Sequence, residues 1–414
     1  MSTDTQTLRP APAPSPLLAR PGAVAAPEPD ATVAAHYGDP LREQRRAVTT
    51  AVLVDRSNRG VLRVTGPERL TWLHSLTSQH LSQLAPGRGT EALVLSPHGH
   101  IEHHLVLADD GTATWIDVEP GSAPRLLSFL ESMRFMLRVE PGDATAETAV
   151  LSLLGPGAAD VARAVFGPSA VPGEAGGGPA AGTAAAGSPT AAGAVTTGPY
   201  PVTRAAATTD PTATDPAATG AAVGGPAPLI RRMPYGLDLL VARADLATIA
   251  DQLVGAGATP AGLSAFEALR IAARRPRLGR ETDHRTIPHE VGWLPAAVHL
   301  DKGCYRGQET VARVHNLGRP PRRMVLLHLD GAVAAPGTPV TAGGRAVGFV
   351  GASEMHHELG PIALAVVKRS LPADAVLVVT DPDGAQVAAT IDPEAGPEQP
   401  TRPAGRLLHP HTGG

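Results

Sequence analysis

The chain has one cysteine, Cys304, and it stands in an unusual run: Lys302-Gly303-Cys304-Tyr305-Arg306-Gly307-Gln308-Glu309. A thiolate is the reactive form of cysteine, and cations such as Lys302 and Arg306 beside the sulfur favour it. Gly303 and Gly307 bracket the thiol and permit sharp bends and close approach of a ligand. The spacing from Gln308 to Val314 predicts a helix whose positive end adds to that effect. These features describe a reactive or ligand-facing thiol. The competing reading is a small buried hydrophobe, the usual fate of a lone cysteine. Spacing alone leaves the two level.

Histidines and arginines form the next clusters. His98, His100, His103 and His104 raise the question of a metal, since imidazole is a common ligand. On a strand, His100, Glu102 and His104 share one face, while His103 points the other way and His98 lies in a turn. A metal needs three or four converging ligands. The expectation is therefore solvated or channel-lining histidines and no metal site, with His289, His356 and His357 read likewise. Arginines concentrate at Arg270, Arg274, Arg275, Arg277 and Arg280, and at Arg313, Arg319, Arg322 and Arg323. Most read as a solvated face. Arg313 follows the cysteine run by one helical turn and is expected to meet a ligand carboxylate.

The elements that must position these groups follow from pattern and breakers. Val61 to Thr65 reads as a strand, and Gly66-Pro67-Glu68 opens a helix carrying Leu70, Leu73 and Leu76. Strands are expected at 93–95, 101–107 and 112–118, and a helix through Leu126, Leu130, Met133 and Leu137. A strand at 237–241 precedes helices through Leu246, Ile249 and Leu253 and over 263–273. From about Arg322 the pattern is short apolar strands at 324–329, 346–350, 362–367, 376–380 and 387–391. Turn residues separate them, as in a small antiparallel barrel or sandwich. The class is α+β. Residues 1–35 read as a disordered tail, 36–170 as a first α+β part, and 171–228 as a low-complexity insertion. Residues 229–320 read as a second α+β part, 321–393 as the barrel, and 394–414 as a disordered tail.

Composition narrows the function. A net charge of −4 and a pI near 6.5 do not suit a nucleic-acid binder, so no direct nucleic-acid contact is expected. A single cysteine excludes an intramolecular disulfide and a self-contained four-thiolate cluster site. No secretory signal or membrane-length apolar run is found, so a soluble cytoplasmic protein is expected.

The run from Lys302 to Glu309 resembles the signature of the YgfZ family of folate-binding proteins. Ala268-Leu269-Arg270-Ile271, the run from Thr286 to Trp293, Glu309 to Arg313, and Val347-Gly348-Phe349 with Pro361 to Leu364 look like the same family. Asp55-Arg56-Ser57 through Gly66 resembles the start of the wider glycine-cleavage T-protein superfamily. The likeness covers most of residues 45–390 outside the insertion. It implies two related α+β halves around a central channel plus a C-terminal small antiparallel β-barrel. It implies tetrahydrofolate as ligand, with Arg313, Arg270, His103 and His104 as candidate contacts. Lys302, Gly303, Cys304, Tyr305, Gly307, Gln308 and Glu309 form the signature, with Cys304 as its functional thiol. The implied role is an accessory protein for assembly or repair of iron–sulfur clusters in client enzymes, including tRNA-modifying ones. The implied partners are reduced folate and iron–sulfur client or assembly proteins.

Two departures bear on chemistry. T-proteins, which are aminomethyltransferases, hold a working aspartate where this chain has His103 and His104. Imidazole cannot supply the fixed negative charge that steadies a cationic folate nitrogen. Relatives also often read Glu and Gly where this chain has Ala272 and Arg274. Folate-dependent aminomethyl transfer is thus the competing reading.

Overall fold

The computed structural model describes residues 13–173, 200–205, 225–381 and 383–393. The start through residue 12, most of the expected insertion (174–199 and 206–224) and the expected tail from 394 lie outside the described residues.

Two segments repeat one plan of strand, helix, three strands, helix, strand. The first comprises Gly60–Thr65, Arg69–Leu76, Arg88–Leu95, Ile101–Asp109, Ala113–Val118, Ala123–Ser132 and Glu140–Asp143. The second comprises Thr148–Leu154, Ala158–Phe166, Tyr200–Arg204, Leu229–Met233, Gly236–Ala242, Leu246–Gly255 and Thr259–Ala261. Each opens with a strand, a Gly-Pro pair and a helix. Gly66 and Gly155 have φ of 104° and 96°. A Cβ would lie 2.2 Å from the Arg138 carbonyl oxygen at Gly66 and 2.4 Å from that of Thr50 at Gly155. Only glycine fits there.

The ten strands of this repeat and Val52–Asp55 make one 11-stranded sheet. The halves meet where Tyr200–Arg204 pairs antiparallel with Arg88–Leu95, through Tyr200 with Gly89 and Pro201 with Arg88. This corrects the expected division at residues 36–170 and 229–320. The expected insertion at 171–228 falls inside the second half and does not separate the halves, and its residues 200–204 are that half's second strand. The strand Thr148–Leu154, absent from the pattern reading, starts that second half.

Helices cover one face of the sheet. Leu73, Leu76, Leu126 and Leu130 pack on Leu62, Val64, Leu105 and Leu107 in the first half. Val161, Phe166, Ile249 and Leu253 pack on Leu151, Leu153, Leu237 and Leu239 in the second. The helix expected to run through Leu137 ends at Ser132. Phe135 takes a left-handed φ of 47°, and Phe135 and Met136 are exposed.

The segment expected to be a tail up to residue 35 is folded from residue 13. Pro16–Ala19 forms a 3₁₀ turn capped by Ser15, and Val24–Ala25 pairs with Ala34–His36. Its Ala and Pro content gives weak local signals. Leu17 and Val33 anchor it by burial, and Asp30 binds the buried Arg277.

The C-terminal part is a closed six-stranded antiparallel barrel, ordered Arg322–Leu329, Gly360–Lys368, Arg345–His356, Pro339–Ala342, Leu377–Thr380 and Gln386–Ile391. It joins the rest through the helix Leu263–Ala272, where Ile271 packs on Leu326, Ala352, Ile362 and Leu364. The whole is two related α+β halves plus a C-terminal antiparallel barrel, as the resemblance implied.

Candidate functional site

Between the sheet face turned away from the helices and the helix Leu263–Ala272 lies a cavity of about 690 Å³. Arginines, buried acids and a few aromatic rings line it. Glu91 and His104 come from the first half and Tyr235 from the second. Phe266 and Arg270 come from the helix, Arg274, Arg275 and Arg277 from the turn after it, and Trp293 from the following loop.

Glu91 is held by three side chains. It is buried in the strand Arg88–Leu95, just ahead of the apolar run Ala92 to Leu95. His104 Nε2 lies 2.8 Å from one of its oxygens, the Tyr200 hydroxyl donates to the other at 2.6 Å, and Arg275 approaches at 3.3 Å. Burial alone would push this carboxyl up. The hydrogen bond and charge of His104, the charge of Arg275 and the Tyr200 hydroxyl instead hold it at about 2. The His104 ring stacks on Trp293, with centroids 4.5 Å apart. The carboxylate that the His103–His104 pair lacks is therefore supplied from the neighbouring strand.

Behind these groups runs a buried chain of alternating charges. Asp30 meets Arg277 at 2.6 Å, Arg277 meets Glu119 at 2.5 Å, and Arg59 bridges Glu119 and Asp117 at 2.6 and 2.7 Å. Arg231 joins Asp117 to Asp238 at 2.8 and 2.9 Å. Arg56 reaches Asp238 at 3.3 Å and lies 4.3 Å from the Phe266 ring centroid. At Arg59, Asp117, Glu119, Arg231 and Arg277 burial opposes the charge, but the facing charges win. Glu119 is held well below the usual carboxylate range by Arg277 and Arg59. Asp238 stands between leucines in its strand, and a charge inside an apolar strand was the signal that could have found it.

The predicted residues divide. Arg270 and His104 line the cavity, but Arg270 is committed to Glu267 at 2.7 Å and Glu281 at 3.1 Å. His103 does not line it. The strand register slips between Val94 and Leu95, so Glu102 is a bulged extra residue, and His103 turns to the helix-covered face with Leu105 and Leu107. Burial and the nearby Arg125 push the His103 imidazole down to about 4. Arg313 is exposed and does not line the cavity.

The Cys304 run lies outside the cavity and acts as a clamp. The Lys302 ammonium is buried and donates to the carbonyls of His74, Thr77 and Gln79, at the C-terminal end of Arg69–Leu76. Desolvation pushes it down to about 8. Arg306 is paired with Glu102 at 2.9 Å. Both cations expected to serve the thiolate are thus engaged elsewhere. Gly307 is left-handed at the start of the helix Gln308–Leu317 and touches the Ser96–His100 turn. That glycine serves chain-to-chain contact, whereas the expectation was room for a ligand. The Gln308 amide donates to the Lys302 carbonyl at 3.2 Å, and Tyr305 is buried with Leu93, Trp293 and Val311. Glu309, Gly303 and Cys304 are exposed, so the buried-hydrophobe reading of the thiol fails. Replacing Cys304 with serine is expected to change stability by no more than about 0.5 kcal/mol. The native thiol should react with an aromatic disulfide reagent without denaturant. Reaction only after unfolding would contradict the geometry.

Among the described residues, no group of three or more His, Cys, Asp or Glu side chains could hold a metal ion. Among them, no helix is long and apolar enough to cross a membrane.

Comparison with known proteins places this geometry. Residues 21–175 match the GCVT N-terminal domain, and residues 322–396 match the CAF17 C-terminal beta-barrel domain. The chain has the YgfZ/CAF17 family architecture. Curated relatives include an aminomethyltransferase of Symbiobacterium thermophilum, 27% identical over 76% of this chain and 77% of the relative. Another is a putative chloroplastic transferase of Arabidopsis thaliana, 26% identical over 72% of this chain and 60% of the relative. The crystal structure of the glycine cleavage system aminomethyltransferase T from Bartonella henselae superposes with a TM-score of 0.69 at 18% identity. That superposition covers 91% of this chain and 94% of the other, and shows the shared fold.

Proposed function

We propose that this chain binds a reduced folate in the cavity and serves as a cytoplasmic accessory protein for assembly or repair of iron–sulfur clusters in client enzymes, tRNA-modifying ones among them. The observation that carries the folate reading is Glu91, a buried, ionised carboxylate beside the Trp293–His104 stack. A reduced pteridine presents adjacent N–H donors on one edge and a flat face. A carboxylate accepts such donors strongly in a water-poor site, and an aromatic ring takes the face. Those residues fit the ligand. Tyr200 and His104 orient the carboxylate, and Arg275 steadies its charge. The ligand supplies a one-carbon carrier when bound.

The accessory role is supported by the YgfZ/CAF17 architecture and by the position of Cys304. A thiol on a clamped loop, exposed and outside the cavity, faces a partner protein and not the folate. The remaining ligands of any cluster it touches come from that partner or a small thiol.

A second reading is favoured by one observation. Glu91 restores a carboxylate to the cavity, and several relatives at 25–28% identity are named aminomethyltransferases. Two assays separate the readings. Titration with 5-formyltetrahydrofolate is expected to saturate, and Glu91→Gln to weaken it by about tenfold or more. No binding would remove the folate reading. Steady turnover of tetrahydrofolate and an aminomethyl donor to methylene-tetrahydrofolate would overturn the accessory role in favour of the transferase.

A further inference from the structure

We propose that Arg274, with Arg275 beside it, forms an anion subsite of the cavity that takes a carboxylate on the ligand's tail. Arg274 is one of two non-glycine residues with a left-handed backbone among the described residues, at φ 51°. That conformation is unfavourable for any residue with a Cβ, and such strain gathers at ligand clamps. It reverses the chain just after the helix Leu263–Ala272. As a result, consecutive residues from Ala272 to Arg277 all reach the cavity wall.

The charges of this turn are not equally committed. Arg270 and Arg277 each face at least two acids at close range. Arg274 makes one contact, from Nη2 to Asp392 at 2.7 Å, and its buried Nε has no partner. Asp392 is shared with His328 at 2.7 Å. Arg275 faces a single acid, Glu91, at 3.3 Å, and lies over the Tyr235 ring at 5.4 Å. Arg274 and Arg275 keep 25% and 27% of their side-chain surface open, against 9% or less for Arg56, Arg59, Arg270 and Arg277. A guanidinium with one end anchored and the rest open to a cavity suits a carboxylate by geometry and charge.

The identity of the tail as a glutamyl arm rests on the reduced-folate reading above. The subsite does not depend on it. The test compares folic acid with pteroic acid, which lacks the glutamate, by calorimetry on the full chain. Folic acid should bind about tenfold or more tighter. Arg274→Ala should remove that difference while leaving pteroic acid unchanged. Arg274→Gly relieves the left-handed strain, so its melting midpoint should hold or rise while the discrimination is lost. That separates a ligand contact from a structural one. Equal affinity for the two compounds in the unaltered protein, or discrimination kept in both variants, would overturn the subsite. If neither pterin binds, 4-aminobenzoyl-triglutamate decides alone. Binding lost on Arg274→Ala supports the subsite and removes only the pterin reading, and no binding overturns the subsite.

Discussion

Replacing Arg277 with methionine is expected to destabilise the fold by about 3–5 kcal/mol. The guanidinium touches Asp30 through both terminal nitrogens and Glu119 through Nε, and Glu267 lies 3.5 Å away. Methionine matches much of the volume and none of the charge. Asp30 and Glu119 would stay buried with fewer partners, and an uncompensated buried charge is the costly outcome. The loss should appear as a lower urea midpoint with unchanged slope. The segment from residue 13 to 35 should become cleavable by a protease at the same time, since Asp30 is its polar anchor. A change below about 1 kcal/mol would mean that water or side-chain movement satisfies those acids.

The second large effect lies in the cysteine run, where two glycines should behave oppositely. Gly307→Ala places a Cβ 2.5 Å from the Ser96 carbonyl oxygen and 2.9 Å from the Gly99 Cα, at φ 79°. Neither neighbour is a flexible side-chain end. The left-handed penalty and the overpacking together are expected to cost about 2–4 kcal/mol. Gly303→Ala meets nothing within 4 Å and should stay within about 0.5 kcal/mol. Chemical unfolding of both variants checks the contrast. Equal effects at the two positions would show that the Ser96–His100 turn yields easily and that the clamp is loose.

The elements legible in sequence were those whose signal is local. Alternation and breakers marked four of the five strands of the first half and most of the barrel, and the helix periodicity of Leu246, Ile249 and Leu253 held. Where tertiary contact decides, the sequence was silent. Leu151-Ser152-Leu153-Leu154-Gly155-Pro156 repeats the plan of Val61 to Pro67, but its long gap to the next strand hid the second half. Arg277 and Asp30 are 247 residues apart, and no spacing rule pairs them. The resemblance put His103 with the ligand contacts, whereas strand alternation already turned it away from His104, and the bulge at Glu102 breaks only the alternation from His100 to His104. Ala272 and Arg274 were visible as departures. Only the backbone angle showed what the second one costs. Lys302 and Arg306 were read as neighbours of the sulfur because they are adjacent in sequence, yet their long side chains end on other elements.

Val52–Asp55 lies between Thr148–Leu154 and Thr259–Ala261, so the beginning of the chain is sewn into the sheet of its later half. During synthesis this apolar segment leaves the ribosome with neither neighbour made. Its antiparallel neighbour follows about a hundred residues later, a wait of roughly 5–20 s at the usual elongation rate of 5–20 residues per second. Val52, Leu53 and Val54 all end fully buried, so through that interval the nascent chain exposes a sticky edge that its own first half cannot cover. The first half can fold as it emerges, but the second cannot close until this early strand is recovered, and a holding chaperone has a defined stretch of chain to protect.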